Sequence, residues 1–154
     1  MKFLIKLLTL SFLFLSVFCL NATAQTMSPV GYWKTVDDKT GEVLSVVQIY
    51  SPGDTLAGKI VQIMPVLGQK VTDRCVKCEG NLQNQPMMGL GIIWGMQQLN
   101  QITWGRGRVL DPKSGNIYRG TMTLVNNGQA LQLRGYIGIP IFGRTETWIR
   151  TNRP

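Results

Sequence analysis

The sequence has no histidine among its 154 residues. That absence removes Ser-His-Asp and Cys-His catalysis, histidine metal ligation and histidine pH switching in one step. Carboxylates are scarce as well, with Asp and Glu totalling 8 against 16 Lys and Arg. Asp37, Asp38, Asp54 and Asp111 sit in turn sequences, where bonding to turn amides accounts for them. No spacing favours a two-carboxylate hydrolase, and no nucleophile motif is present. An enzyme is therefore the lesser reading: no catalytic residue is assigned, and Glu146 is the only strand acid with neighbours that could perturb it. The chain also lacks a convincing amphipathic helix, a block of five or six like charges, and any long apolar run beyond its N-terminus.

What is present begins with an address. Lys2 and Lys6 precede a nearly continuous apolar run from Leu7 to Leu20, and Ala22-Thr23-Ala24 is a small-residue cleavage sequence. This is the pattern of a secretory signal over residues 1–24, too short for a spanning helix and followed by a cleavage site rather than a positive stop. Phe18, bulky, precedes Cys19, which argues against a lipoprotein acceptor. Residues 25–154 then form one domain, exported to the periplasm or secreted, with no transmembrane segment. The formal charge of +8 fits acidic lipid head groups or polyanionic glycans as partners. Nucleic acid is disfavoured, because the basic residues are scattered and the protein is exported.

The mature chain reads as strands. Trp33 to Val36, Val43 to Tyr50 and Leu56 to Met64 are rich in β-branched and aromatic residues, separated by Asp37-Asp38-Lys39-Thr40-Gly41 and Ser51-Pro52-Gly53-Asp54. Asp111-Pro112-Lys113-Ser114-Gly115 repeats the first loop in residue type and pairs Arg106–Leu110 with Ile117–Leu124. Asn126-Asn127-Gly128 joins Met122–Leu124 to Leu131–Ile137, and Gly138 to Gly143 leads into a last strand, Arg144 to Arg150. About eight short strands predict an all-β domain, a single antiparallel up-and-down barrel whose closure removes open edges. The exception is a long loop segment over residues 65–95, with Met87 to Trp94 as its apolar end, expected to be a further strand or a flap.

Two constellations could carry chemistry. Cys75-Val76-Lys77-Cys78 fits a structural disulfide, a redox pair or half of a metal site. An even number of mature cysteines in an exported chain favours the disulfide. The poor helix signal after Cys78 weakens the redox reading, and the shortage of ligands weakens zinc; no metal or cofactor is assigned. The second constellation supplies the candidate ligand-binding residues: Trp94, Trp104, Arg106, Arg134, Tyr136, Arg144, Glu146 and Trp148. Arginine binds carboxylate or phosphate bidentately, and tryptophan packs on the apolar part of a ligand. By alternation Arg144, Glu146, Trp148 and Arg150 share one face of the last strand; the simplest expectation is that arginines face solvent and the other face forms core.

Gly31-Tyr32-Trp33-Lys34-Thr35, Leu56-x-Gly58-Lys59-Ile60, Cys75-x-x-Cys78-x-Gly80, Leu110-Asp111-Pro112-x-x-Gly115-x-x-Tyr118, Arg134-Gly135-Tyr136-Ile137-Gly138 and Gly143-Arg144-x-x-x-Trp148-x-Arg150, taken in order, resemble the bacterial exported family known as domain of unknown function 2147 (DUF2147). The resemblance implies a small periplasmic, lipocalin-like barrel and no particular reaction. In lipocalins a Gly-x-Trp opens the first strand and a late arginine packs across that Trp at the closed end. Gly31, Trp33 and Arg150 (or Arg144) would fill those barrel-closing roles, although the lipocalin Thr-Asp-Tyr is absent. The expected function is non-catalytic binding of a small amphiphilic or lipid-like ligand or an envelope component. The alternative is a structural or protein-interaction module with an envelope protein partner. With Trp33 closing one end, the ligand site is expected at the other end or beneath residues 65–95.

Overall fold

The computed structural model describes residues 27–65, 68 and 72–154. The signal assigned to residues 1–24 lies outside the described residues. The strands are β1 (Gly31–Val36), β2 (Val43–Tyr50), β3 (Leu56–Ile63), β4 (Gly91–Gln98), β5 (Thr103–Asp111), β6 (Asn116–Val125), β7 (Ala130–Tyr136) and β8 (Arg144–Thr151). Each pairs antiparallel with the next, and β8 returns to β1, closing an eight-stranded barrel. Closure leaves no strand edge free to template aggregation. Among the described residues no helix is long and apolar enough to cross a membrane.

The turns form for local reasons. The Asp37 carboxylate accepts hydrogen bonds from the amides of Lys39 and Thr40, at 2.9 and 3.1 Å. These bonds hold its pKa below the ordinary carboxylate value. Asp111 accepts the equivalent bond from Lys113 at 2.9 Å. Gly41 and Gly115 then take positive φ to lead out of each turn. The two loops also meet, Lys113 Nζ lying 3.5 Å from Asp37.

Up-and-down connection sorts the loops into two ends. At one, here the strap end, lie Met27–Val30, the turns after β2, β4 and β6, and the chain's C-terminus. At the other, the loop end, lie the turns after β1 and β5, the excursion between β3 and β4, and the connection from β7 to β8.

The interior is packed with side chains. Trp33, Trp148, Ile49, Ile93, Met96, Met122 and Leu131 are almost wholly buried. Glycines make the room they need. Gly107, Gly120 and Gly135 are register neighbours across β5, β6 and β7, and a Cβ on Gly107 or Gly120 would stand 2.6 or 2.7 Å from atoms of Met96. The Met96 side chain therefore occupies a trough that glycine alone leaves open, much as Ile93 lies over Gly58.

Three expectations need correction. The segment without regular structure ends at Leu90, not residue 95, because Gly91–Gln98 is a full strand. Gly95, at φ +66°, lets that strand continue past an irregularity that reads in sequence as a break. Strand β7 stops at Tyr136, so Ile137, expected as its last residue, projects into solvent instead. On β8 the faces are reversed from the simplest expectation. Glu146, Trp148 and Arg150 point inward, and Thr145, Thr147 and Ile149 are the exposed set.

The excursion before β4 buttresses the wall. Alternation aims Ile92 and Leu110 outward, yet both are buried in one cluster with Cys75, Cys78, Leu82 and Leu90. Cys75 and Cys78 form a disulfide, with Cα atoms 5.4 Å apart. The Lys77 carbonyl abuts Gly115 so closely that a Cβ there would overlap it.

Candidate functional site

At the strap end the barrel is closed by Trp33 and Arg150. The Arg150 guanidinium lies 4.2 Å from the centre of the Trp33 ring, a cation–π contact. It also donates to the carbonyls of Gly128 at 2.6 Å, Val30 at 3.2 Å and Ser28 at 2.7 Å. Burial pushes its pKa down from the ordinary arginine value, without threatening a charge that arginine keeps under all ordinary conditions. The Trp33 indole donates to the Pro29 carbonyl at 2.8 Å. A side chain at Gly31 would meet Arg150 Nη1 at 3.0 Å, and that backbone stands at φ +137°. One arginine thus ties the entering strap, the β6–β7 turn and the plug together. Arg144 does not share this role; it lies at the loop end.

Beside the plug opens a cleft of about 410 Å³, within the range of small-molecule sites. Leu56, Met96 and Trp104 form its floor, and Met27, Pro29 and Val30 one wall. Leu56 and Met96 are register partners on β3 and β4, both with inward side chains. Ser28, Ser51, Asp54 and Gln98 bring polar groups to the rim. Such a hollow suits a compact apolar body with a hydroxyl or amine at its exposed end. The rim carboxylate of Asp54 opposes an anionic head.

The eight candidate ligand residues are not brought into one pocket. Trp104 alone lines the cleft. Trp94 lies on the outer wall opposite Arg108. Arg106 is exposed where β5 departs from register, at φ +60°. Arg134 and Tyr136 are on the outer face of β7, and Arg134 binds the Pro140 and Ile141 carbonyls at 2.8 and 3.2 Å. Arg144, Glu146 and Trp148 follow one another along the inner face of β8, from Arg144 at the loop end to Trp148 toward the plug. Glu146 accepts a bond from the Trp148 indole at 3.3 Å and lies 3.9 Å from Arg144, which also pairs with Asp38 at 2.8 Å. The hydrogen bond that Arg144 donates to the Asp38 carboxylate raises its pKa above the ordinary arginine value. These groups satisfy one another and anchor β8 to the first loop. Among the described residues no three Cys, Asp or Glu gather where a metal ion could be held.

The cleft therefore lies at the plugged end, against the expectation of a site at the far end or under residues 65–95. Sequence offered little warning. Ser51 and Asp54 read as turn formers, and the strap precedes any recognisable strand, so only closure of the barrel brings them beside Trp104.

Comparison with known proteins agrees with this architecture. The fold is similar to the structure of HP1028 from Helicobacter pylori, described as belonging to the lipocalin family, at a TM-score of 0.69 and 18% identity, covering 82% of this chain and 85% of that one. At that identity the likeness establishes the fold. No curated protein matches the chain. The family model described as "Uncharacterized protein conserved in bacteria (DUF2147)" matches residues 31–150, and the chain belongs to that family.

Proposed function

We propose that this is an exported, periplasmic barrel that binds a small amphiphilic ligand without chemistry, and that the ligand sits in the cleft at the strap end. The observation that carries this reading is the cleft itself: an apolar floor of Leu56, Met96 and Trp104 beneath a rim holding Ser51, Asp54 and Gln98. The lipocalin-like fold supports it, as does an N-terminal signal pattern that would deliver the chain to the envelope. The ligand class follows from the lining: an apolar body, with a neutral or cationic head at the rim. Native mass spectrometry of protein purified from its own periplasm, followed by organic extraction, identifies the occupant. A reproducible bound species is expected, and Ser51→Trp, at an exposed rim position, should reduce its retention about tenfold or more by filling the entrance. A clean apo mass, or retention untouched by that substitution, counts against the cleft.

A second reading, an envelope interaction module, draws on the side chains that fill the middle of the barrel. It predicts no copurified small molecule and a specific protein crosslink instead.

A further inference from the structure

The connection from β7 to β8 presents a surface unlike the rest of the molecule. Ile137, Ile139, Ile141 and Phe142 are 73%, 57%, 74% and 81% exposed, within one short loop. Soluble proteins seldom display four large apolar side chains together without something to cover them. The loop is also held rigidly. Arg134 Nε and Nη2 donate to the carbonyls of Pro140 and Ile141, its Nη1 donates to Thr145 Oγ1 at 2.8 Å, and the Gly143 amide bonds the Pro140 carbonyl at 3.0 Å. The carbonyls of Ile139, Pro140 and Ile141 are thus bonded within the protein. In a protein interface or in water this is unremarkable, but in hydrocarbon it lowers the cost of entry, since unbonded backbone groups there lose several kcal/mol each.

The adjoining wall carries the matching charge. Across the outer face, Trp94 pairs with Arg108, Arg108 with Arg119, and Arg119 with Tyr136, the residue next to Ile137. This is a strip roughly 14 Å wide at the usual strand spacing. Arg108 and Arg119 are both exposed, stand directly opposite each other, and make no ion pair among the described residues. Like charges so placed repel and are relieved by an anion between them. Arginine forks match phosphate oxygens, and Trp and Tyr are the aromatics that settle at the membrane–water boundary.

We infer that this face docks on an anionic lipid bilayer, the loop Ile137–Phe142 inserting among the acyl chains while Arg108 and Arg119 hold lipid phosphates. Without Lys2 and Lys6 of the signal, the mature chain keeps a formal charge of +6 (16 − 2 basic against 8 acidic residues), which draws the whole molecule to such a surface. The cleft at the strap end would then face away from the membrane, so docking and ligand binding are separable.

Flotation of the mature protein with vesicles of phosphatidylethanolamine and phosphatidylglycerol tests this, with pure phosphatidylcholine vesicles as the uncharged comparison. Binding to the anionic vesicles is expected, weakening with salt. Phe142→Asp, at a largely exposed position, should cut partitioning about tenfold or more by loss of insertion. Arg108→Gln and Arg119→Gln should each reduce it about fivefold on anionic vesicles and leave the phosphatidylcholine value unchanged. Circular dichroism checks that each variant keeps its fold. No binding by the wild-type protein, or binding unaffected by Phe142→Asp, overturns the inference. So does a wild-type dimer that Phe142→Asp makes monomeric without any vesicle binding, which would identify a second copy of the chain as the loop's partner.

Discussion

Arg150 is the residue on which the plugged end depends, since it contacts Trp33, the strap and the β6–β7 turn together. Trp33→Ala should cost about 3 to 5 kcal/mol, the range for emptying a large buried site. Arg150→Met keeps much of the stem's packing but leaves three carbonyls without their donor and removes the cation from the ring. It should cost about 1.5 to 3 kcal/mol. Denaturant unfolding followed by tryptophan fluorescence measures both. A loss near zero for Arg150→Met would mean that water replaces the guanidinium freely and that the strap is held by Pro29 alone. The Gly-x-Trp signature was legible in sequence because it is local. Which arginine meets the Trp was not, because Arg144 and Arg150 share a face and only the β1–β8 register, Trp33 opposite Arg150, separates them.

At the scale of elements, the strands with clear turn chemistry could be read from sequence, whereas β4 was legible only as a strand or a flap, with its bounds misplaced. Its glycines at 91 and 95 look like breakers, while the bulge that absorbs Gly95 exists only against neighbouring strands. The candidate residues are scattered for a related reason. Alternation predicts which residues share a face but not which face is inside, and on β8 the barrel buries the more polar one. The disulfide excursion is the element whose docking can be tested most directly. It meets the barrel where the Lys77 carbonyl presses on Gly115. Gly115→Ala introduces a Cβ that this contact cannot accept, at a residue with φ +80°. It should cost about 2 to 4 kcal/mol from overpacking and backbone strain together. Limited proteolysis within residues 72–90 should accelerate in step, as the excursion lifts from Ile92 and Leu110. Gly41→Ala provides the control. It shares the loop type and a positive φ of +74° but has no atom nearby, so it should show the strain without the proteolysis.

For the whole molecule, closure is uneven around the circumference. Strands β6 and β7 pair continuously from Arg119–Tyr136 to Val125–Ala130, whereas among the described residues β8 meets β1 only through Tyr32, Trp33 and Lys34. The plug fastens that seam at the strap end. At the loop end its remaining fastening is the ion pair between Arg144 and Asp38, with side chains 71% and 42% exposed, and such pairs contribute little in water. Opening should therefore start there and run toward the plug, while the β5–β7 wall holds until global unfolding. Native-state hydrogen exchange resolves this. Amides of Thr35 and Val36, and of the first residues of β8, should exchange with lower opening free energy than those of Met122 and Leu124. Arg144→Ala should speed exchange at the seam while shifting global stability by less than about 1 kcal/mol. Uniform protection around the barrel would show instead that the seam is as cooperative as the wall, and that the few register pairs at β1–β8 understate its strength.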